Sequence, residues 1–367
     1  MAGTQPKLNY RHEVLSRFFE FVQSGESFYV IGAPSVGKTR LMDFLLGDNI
    51  QADLAKGVEP DRLAVKKRYL GEDQALSTWL VRVDLNRIRQ EHDWSFHFYE
   101  LLLSAVFFEC SRYPVTDKTR EMEALLAELD SQVIRSKDAL MAHRFFEMAV
   151  NKLCQVYRIK LCFLFDEFDE TYKKMPLEVF AQLRAIRDAN KYRLFYALFL
   201  RNLPEALRSR TDNESFFELI SRNLIGIGPY TQADSMDVIE QLEQRKNFSL
   251  TPEKRNWLFL MSGGHPGLMI ALFDALRDNP QQALQNADID WCFSQEHVRE
   301  EFRKIWNGLL DDEKSGLLAF ARNDPARLTS SAMKILRAKG LLRQDGRNLN
   351  CFSPLFPLFL EARLRDV

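Results

Sequence analysis

Two hydrophobic rhythms divide the chain. Short, nearly continuous apolar runs recur through the first 230 residues: Phe28 to Ile31, Trp79 to Asp84, Ile159 to Asp166, Tyr192 to Asn202 and Asn223 to Gly228. Runs of that length without alternation are expected of strands in a parallel sheet covered on both faces. Between them the period becomes helical. Val14, Leu15, Phe18, Phe19 and Phe21 share one side of a helix that stops at Ser24-Gly25. Ser95 to Glu109 carries Phe96, Phe98, Leu101, Leu102, Ala105, Val106 and Phe108 as a core stripe. Residues 117–135 and 138–157 predict two more helices, the second burying Leu140, Phe145, Ala149, Val150 and Leu153, and residues 177–189 predict another. Residues 47–76 are polar and without a clean period, an irregular insertion with some helix.

From Thr231 the strand rhythm stops. Ser235 to Arg245 and Thr251 to Met261 read as helices, and Ser262-Gly-Gly-His-Pro-Gly267 turns into a third that runs to about residue 276. Asp311 to Phe320 and Ala332 to Ala338 follow, then Gly340, a short strand, an Asp345-Gly346 turn and a returning strand, which is a winged-helix pattern. Leu355 to Leu364 closes as an apolar helical tail. The expected architecture is therefore α/β: a core with a five-stranded parallel sheet (1–230), an all-α lid (231–305) and a C-terminal winged helix (306–367).

Composition narrows the class. At 367 residues, 46% apolar and 28% charged, the chain has ample core for two or three units. A net charge of −1 argues against a general nucleic-acid coat, though not against a local basic patch. Five cysteines, Cys110, Cys154, Cys162, Cys292 and Cys351, lack metal-ligand spacing and mostly sit in apolar runs. They read as buried free thiols in a reducing cytoplasm. No signal core and no membrane-length apolar run is present, so an intracellular protein is expected.

The chemistry lies at the ends of the strands. Gly32-Ala-Pro-Ser-Val-Gly-Lys-Thr39 completes the pattern G-x-x-x-x-G-K-[ST] between a strand and a helix. Gly32, Ala33, Pro34, Ser35, Val36 and Gly37 let the backbone curl round a phosphate, with Arg40 at the opening of the helix behind. Lys38 would reach the β- and γ-phosphates of ATP, and the Thr39 hydroxyl would ligate Mg²⁺. The strand Ile159 to Asp166 ends in Asp166-Glu-Phe-Asp-Glu170. Asp166 emerges where that Mg²⁺ would sit, a Walker B role, and Glu167 is placed to polarise the attacking water. Asp169 and Glu170 either share in the site or cap the next helix. At the tip of the fourth strand Arg201 or Asn202 can touch the γ-phosphate; alternatively Asn202 caps a helix beginning near Pro204. Arg222, just ahead of the fifth strand, is either plain surface or a finger offered to a neighbouring subunit. Lys334, Arg337 and Lys339 form a solvated helix face or a DNA contact.

These stretches resemble the P-loop ATPases of the AAA+ superclass, and specifically the STAND-type and archaeal-type ATPases, which combine an ATPase core, a helical lid and a winged helix. The matching segments are Gly32 to Thr39, Leu161 to Glu170, Ser262 to Gly267 and the end from Lys339-Gly-Leu-Leu to Phe352-Ser-Pro-Leu-Phe. The resemblance implies that Gly264, His265 and Pro266 lie against the adenine, and that Arg222 stands at the finger position of origin-recognition ATPases. It also puts Arg11, with Glu13, near the nucleotide, although Tyr10 stands where relatives carry glycine. The implied activity is ATP hydrolysis in a switch that docks a protein partner or assembles with itself. A DNA-associated ATPase of the origin-recognition or transposition-helper kind is the alternative. No internal repeat is found.

Overall fold

A computed structural model describes residues 10–47, 63–88, 93–279, 281, 288–324, 328–346 and 348–365. Strands β1 (Phe28–Gly32), β2 (Thr78–Asp84), β3 (Lys160–Asp166), β4 (Leu194–Leu200) and β5 (Leu224–Ile227) form one parallel sheet in the order β2–β3–β4–β1–β5. Every residue of β1 and β4 is buried, which is why those runs show no polar alternation. The register brings Gly32 beside Ile227 and Asp84 beside Asp166. The carboxyl ends thus gather at one edge, where ligands of open parallel sheets bind.

The sheet is covered on both faces. One face packs Ile31, Val81, Phe163, Phe165 and Tyr196 against helices Trp94–Cys110, Asp117–Ser136, Ala139–Asn151 and Leu177–Ala189. The other packs Val30, Leu80, Leu164 and Phe199 against helices His12–Ser24 and Lys38–Leu45. That second core runs on through Leu268, Met269 and Phe273 of helix Pro266–Asp278, and through Leu336, Leu341, Phe356 and Leu360. It crosses residues 230 and 305 without a break.

Two stripe assignments are corrected. Phe108 is 62% exposed and Leu140 55% exposed, while Phe98, Tyr99, Leu103, Ala142 and Phe146 are buried. Helix Trp94–Cys110 is apolar nearly all round, so its composition does not say which side meets the sheet. Phe108 falls on the outer side. The insertion after the phosphate-loop helix contributes helices Ala64–Leu70 and Glu72–Ser77, and residues 48–62 of it lie outside the described ones.

The C-terminal unit has helices Asp311–Ala321 and Ser330–Ala338, the antiparallel hairpin β6 (Leu342–Asp345) and β7 (Asn348–Cys351), and helix Phe356–Arg365. This is the order of elements expected from the sequence. Helix Ser330–Ala338 lies against β5, an edge strand that would otherwise present unpaired backbone. Ile335 enters the sheet's core there, and a Cβ at Gly226 would collide with the Ala338 carbonyl oxygen. Gly226→Ala should therefore push the C-terminal unit off the sheet edge and cost about 2 kcal/mol of stability. Thermal unfolding with limited proteolysis checks this: cleavage should move to the segment between the lid and residue 311, and wild-type protection in the variant would refute the close approach.

Candidate functional site

The phosphate loop departs from β1 at Gly32. Ser35 (φ 55°) and Gly37 (φ 93°) adopt left-handed conformations that turn the chain back over the strand end. Helix Lys38–Leu45 then starts without a side-chain cap, which leaves its first amides without a side-chain partner, the condition under which a helix terminus can take an anion. A side chain at Gly37 would be strained at φ 93° and would bring its Cβ to 2.8 Å from the Tyr230 hydroxyl. Lys38 Nζ donates to the carbonyls of Gly32 (2.7 Å) and Ala33 (3.2 Å). Burial lowers its pKa to about 8, with Asp169 opposing the shift.

Beyond β3 the acidic cluster divides by task. Asp166 accepts the Glu167 amide on Oδ1 (3.0 Å) and the Arg82 guanidinium on Oδ2 (2.8 Å). Burial raises its pKa and Arg82 opposes that. Glu167 sits in the left-handed region (φ 46°), an unusual backbone state for a glutamate that turns its side chain into the cleft. Its Oε1 is 3.8 Å from the Arg201 guanidinium. Asp169 does not cap the helix that follows; its carboxylate takes the backbone amides of Arg201 (2.9 Å) and Asn202 (3.1 Å) and fixes the tip of β4. Nor does Asn202 cap helix Pro204–Leu207, whose N-cap is Leu203. Asn202 Oδ1 accepts instead from Lys339 Nζ at 3.2 Å. Glu170 pairs with Lys173 on the surface.

Lys339 is therefore not available to DNA. It is 1% exposed, and its ammonium lies 2.7 Å from Glu313 of the same C-terminal unit. Burial lowers its pKa and Glu313 opposes the shift. Lys334 and Arg337 remain exposed.

The lid clamps the loop from behind. His265 is fully buried; its Nδ1 accepts the Leu268 amide (3.4 Å), so Nε2 carries the hydrogen and donates to the Pro34 carbonyl (3.1 Å). The imidazole is neutral, and burial takes its pKa down to about 3. Gly264 accepts the Tyr230 amide at 2.8 Å. Arg11 is buried between these parts. Its guanidinium donates to the carbonyls of Val36 (2.6 Å) and Gly228 (2.8 Å) and lies 4.3 Å from the Tyr230 ring centroid, while its amide donates to Asp234.

A cleft of about 760 Å³ opens between loop and lid. Pro34 through Arg40, Glu167, Arg201 and Pro266 line it; Gly264, His265 and Arg11 stand behind its wall. Tyr230, Val238 and Ile270 add apolar lining suited to a base; Arg245 adds positive charge, and Lys304 is ion-paired there with Glu301, which also lines the cleft. Tyr230, Val238, Ile270, Arg245 and Lys304 were missed in the sequence, where Tyr230 precedes the lid helices and the other four look like ordinary positions on them. Arg40 also bonds Gln241 of the lid. Arg222 lies elsewhere. It precedes the amino end of β5, at the opposite end of the sheet from Gly32, in a separate cleft with Arg184, Arg187 and Lys191.

Neither a family model nor a curated protein matches this chain. Solved structures do. A Walker-type ATPase of Pyrococcus abyssi superposes with a TM-score of 0.53 at 13% identity, covering 96% of this chain and 95% of that one. The fold is that of a P-loop ATPase. Cdc6p of Pyrobaculum aerophilum (TM-score 0.43, 14% identity, 100% and 97% covered) and the Aeropyrum pernix ORC1 protein in complex with DNA (0.42, 14%, 100% and 94%) are more distant in shape. At these identities the likeness is one of fold.

The buried His265 makes the lid contact sensitive to acid. Unfolded, its pKa returns to about 6.5, so below that pH the unfolded chain takes up a proton that the folded imidazole refuses until about pH 3. Its contribution to stability is thus full above about pH 6.5 and falls by up to roughly 1.4 kcal/mol per pH unit below it. Melting curves from pH 7 to 4 should show a smaller decline in His265→Asn than in wild type; equal declines would mean that the histidine titrates freely.

Proposed function

We propose that this protein is an ATP-binding and hydrolysing switch of the STAND/AAA+ kind, coupling its nucleotide state to assembly with a partner protein. The observation that carries the reading is the link from Asn202 through Lys339 to Glu313. Asn202 follows Arg201, which lines the cleft beside Glu167, and the link leads from there into the C-terminal unit.

The residues suit the chemistry. The loop amides and Lys38 bind the polyphosphate, and Tyr230, Val238, Ile270 and Pro266 take the base. The hard oxygen donors Thr39 and Asp166 fit Mg²⁺, which supplies charge neutralisation at the phosphates. Glu167 accepts the proton of the attacking water, and Arg201 stabilises the charge that develops on the γ-phosphate. Arg222 faces away from its own cleft and serves a second copy as the trans-acting finger. Four of the five cysteines are buried and all are free, which suits a reducing compartment, and no helix among the described residues is long and apolar enough to cross a membrane.

A DNA-associated ATPase is the second reading, favoured by the exposure of Lys334 and Arg337 on helix Ser330–Ala338. One set of measurements separates these readings. Lys38→Ala should abolish ATP binding by calorimetry, whereas Glu167→Gln should bind ATP normally and lose phosphate release by at least about 100-fold. Wild-type turnover per molecule should rise with protein concentration and fall in Arg222→Ala. Normal turnover in Glu167→Gln would remove it as the base. Tight duplex binding at physiological salt, lost on charge reversal of Lys334 and Arg337, would select the DNA reading.

A further inference from the structure

Arg82 interrupts an otherwise apolar stretch of β2, and its side chain is what holds the Walker B carboxylate. In the β2–β3 register Arg82 lies beside Leu164, two residues before the Asp84–Asp166 pair. Alternate residues of a strand share a face, so Arg82 and Asp166 project to the same side. Helix Lys38–Leu45 covers that side. Asp43, four residues after Thr39, is one turn along this helix and therefore on the same flank as the Thr39 hydroxyl. The guanidinium spans the gap, 2.8 Å from Asp43 Oδ1 and 2.8 Å from Asp166 Oδ2.

The charges set the consequence. Asp43 and Asp166 bring two negative charges to the side of the loop where Thr39 and Asp166 would hold a cation, and Arg82 cancels one of them. A divalent ion approaching Asp166 meets twice the repulsion that a monovalent ion would feel from the same guanidinium. The pair is also strong in form, being a charge-assisted bond with Asp166 only 9% exposed. Arg82 itself is 32% exposed, so solvent screening keeps the effect moderate.

We propose that Arg82 is a tuning residue of the metal site, weakening Mg²⁺ at Asp166 and thereby raising the free Mg²⁺ concentration that nucleotide binding requires. This rests on the ATP·Mg²⁺ reading of the cleft. Arg82 touches neither substrate nor metal in this scheme; it acts through Asp166. Asp43 moderates it by drawing the guanidinium partly away.

The test uses the full chain and a fluorescent ADP analogue, titrated at a series of free Mg²⁺ concentrations and in EDTA. In Arg82→Gln the half-saturating Mg²⁺ concentration should fall about tenfold. In Asp43→Asn it should rise, since the whole guanidinium charge then rests on Asp166. Arg82→Lys, which keeps the charge, should stay within about twofold of wild type, and binding in EDTA should match wild type in all three. Opposite shifts in the Gln and Asn variants cannot come from general damage, which would weaken both. An unchanged or raised half-point in Arg82→Gln, with EDTA binding intact, would overturn the proposal and leave Arg82 as a support for the strand. Absence of nucleotide binding by the wild type at every Mg²⁺ concentration would instead overturn the reading of the cleft itself.

Discussion

A lysine with 1% of its surface exposed cannot remain charged in the interior without partners, and the partners of Lys339 belong to different parts of the molecule. Glu313 comes from the same C-terminal unit, while Asn202 comes from the tip of β4. Removing either neighbour's contribution leaves a buried charge less compensated, which is costly where solvent cannot enter. Docking of the C-terminal unit is therefore tied to the position of Asn202, the residue after the cleft-lining Arg201. That position is itself fixed: Asp169 holds the amides of Arg201 and Asn202 together. Glu313 also accepts the Leu310 amide, so the far end of the link is anchored at the start of helix Asp311–Ala321.

The loop is held with comparable strictness from its own rear. His265 grips the Pro34 carbonyl and Arg11 grips that of Val36. Both donors are buried, and neither bond can be exchanged for water without opening the lid. Ser35 and Glu167 hold left-handed backbone in the loop and the acidic turn, a conformation that non-glycine residues keep only where the surrounding structure enforces it, and Arg11 behind the loop holds it too. In the proposed switch, the relation of loop, strand tips and lid is the variable that a bound polyphosphate would set.

Much of this was legible in the sequence, for identifiable reasons. The phosphate loop and the acidic strand end are local patterns whose chemistry depends on neighbours in the chain, so spacing alone reveals them. Continuous apolar runs announced the strands. Side chains whose partners are distant were misread. Lys339 lies one residue past a helix, where periodicity no longer reports burial, and it was grouped with the exposed Lys334 and Arg337. Asp169 sits at a helix start and looked like a candidate cap, because its true partners lie 32 and 33 residues away. Phe108 and Leu140 show the converse, apolar residues that the packing leaves outside. Arg82 did carry a signal, since a charge inside an apolar strand requires a partner, but the sequence does not say which.

The account stands on transmission from the cleft to the C-terminal unit, and an inter-label distance tests it most directly. Spin labels on exposed positions of helices Asp117–Ser136 and Phe356–Arg365 would report the separation of core and C-terminal unit. The measurement is made in the Glu167→Gln background, with ADP and with ATP. The account predicts two distance distributions, one for each nucleotide, that merge when Lys339→Met and Glu313→Gln together replace the buried pair by neutral groups. A separation that ignores the γ-phosphate, or one that responds to it equally without Lys339, would contradict it.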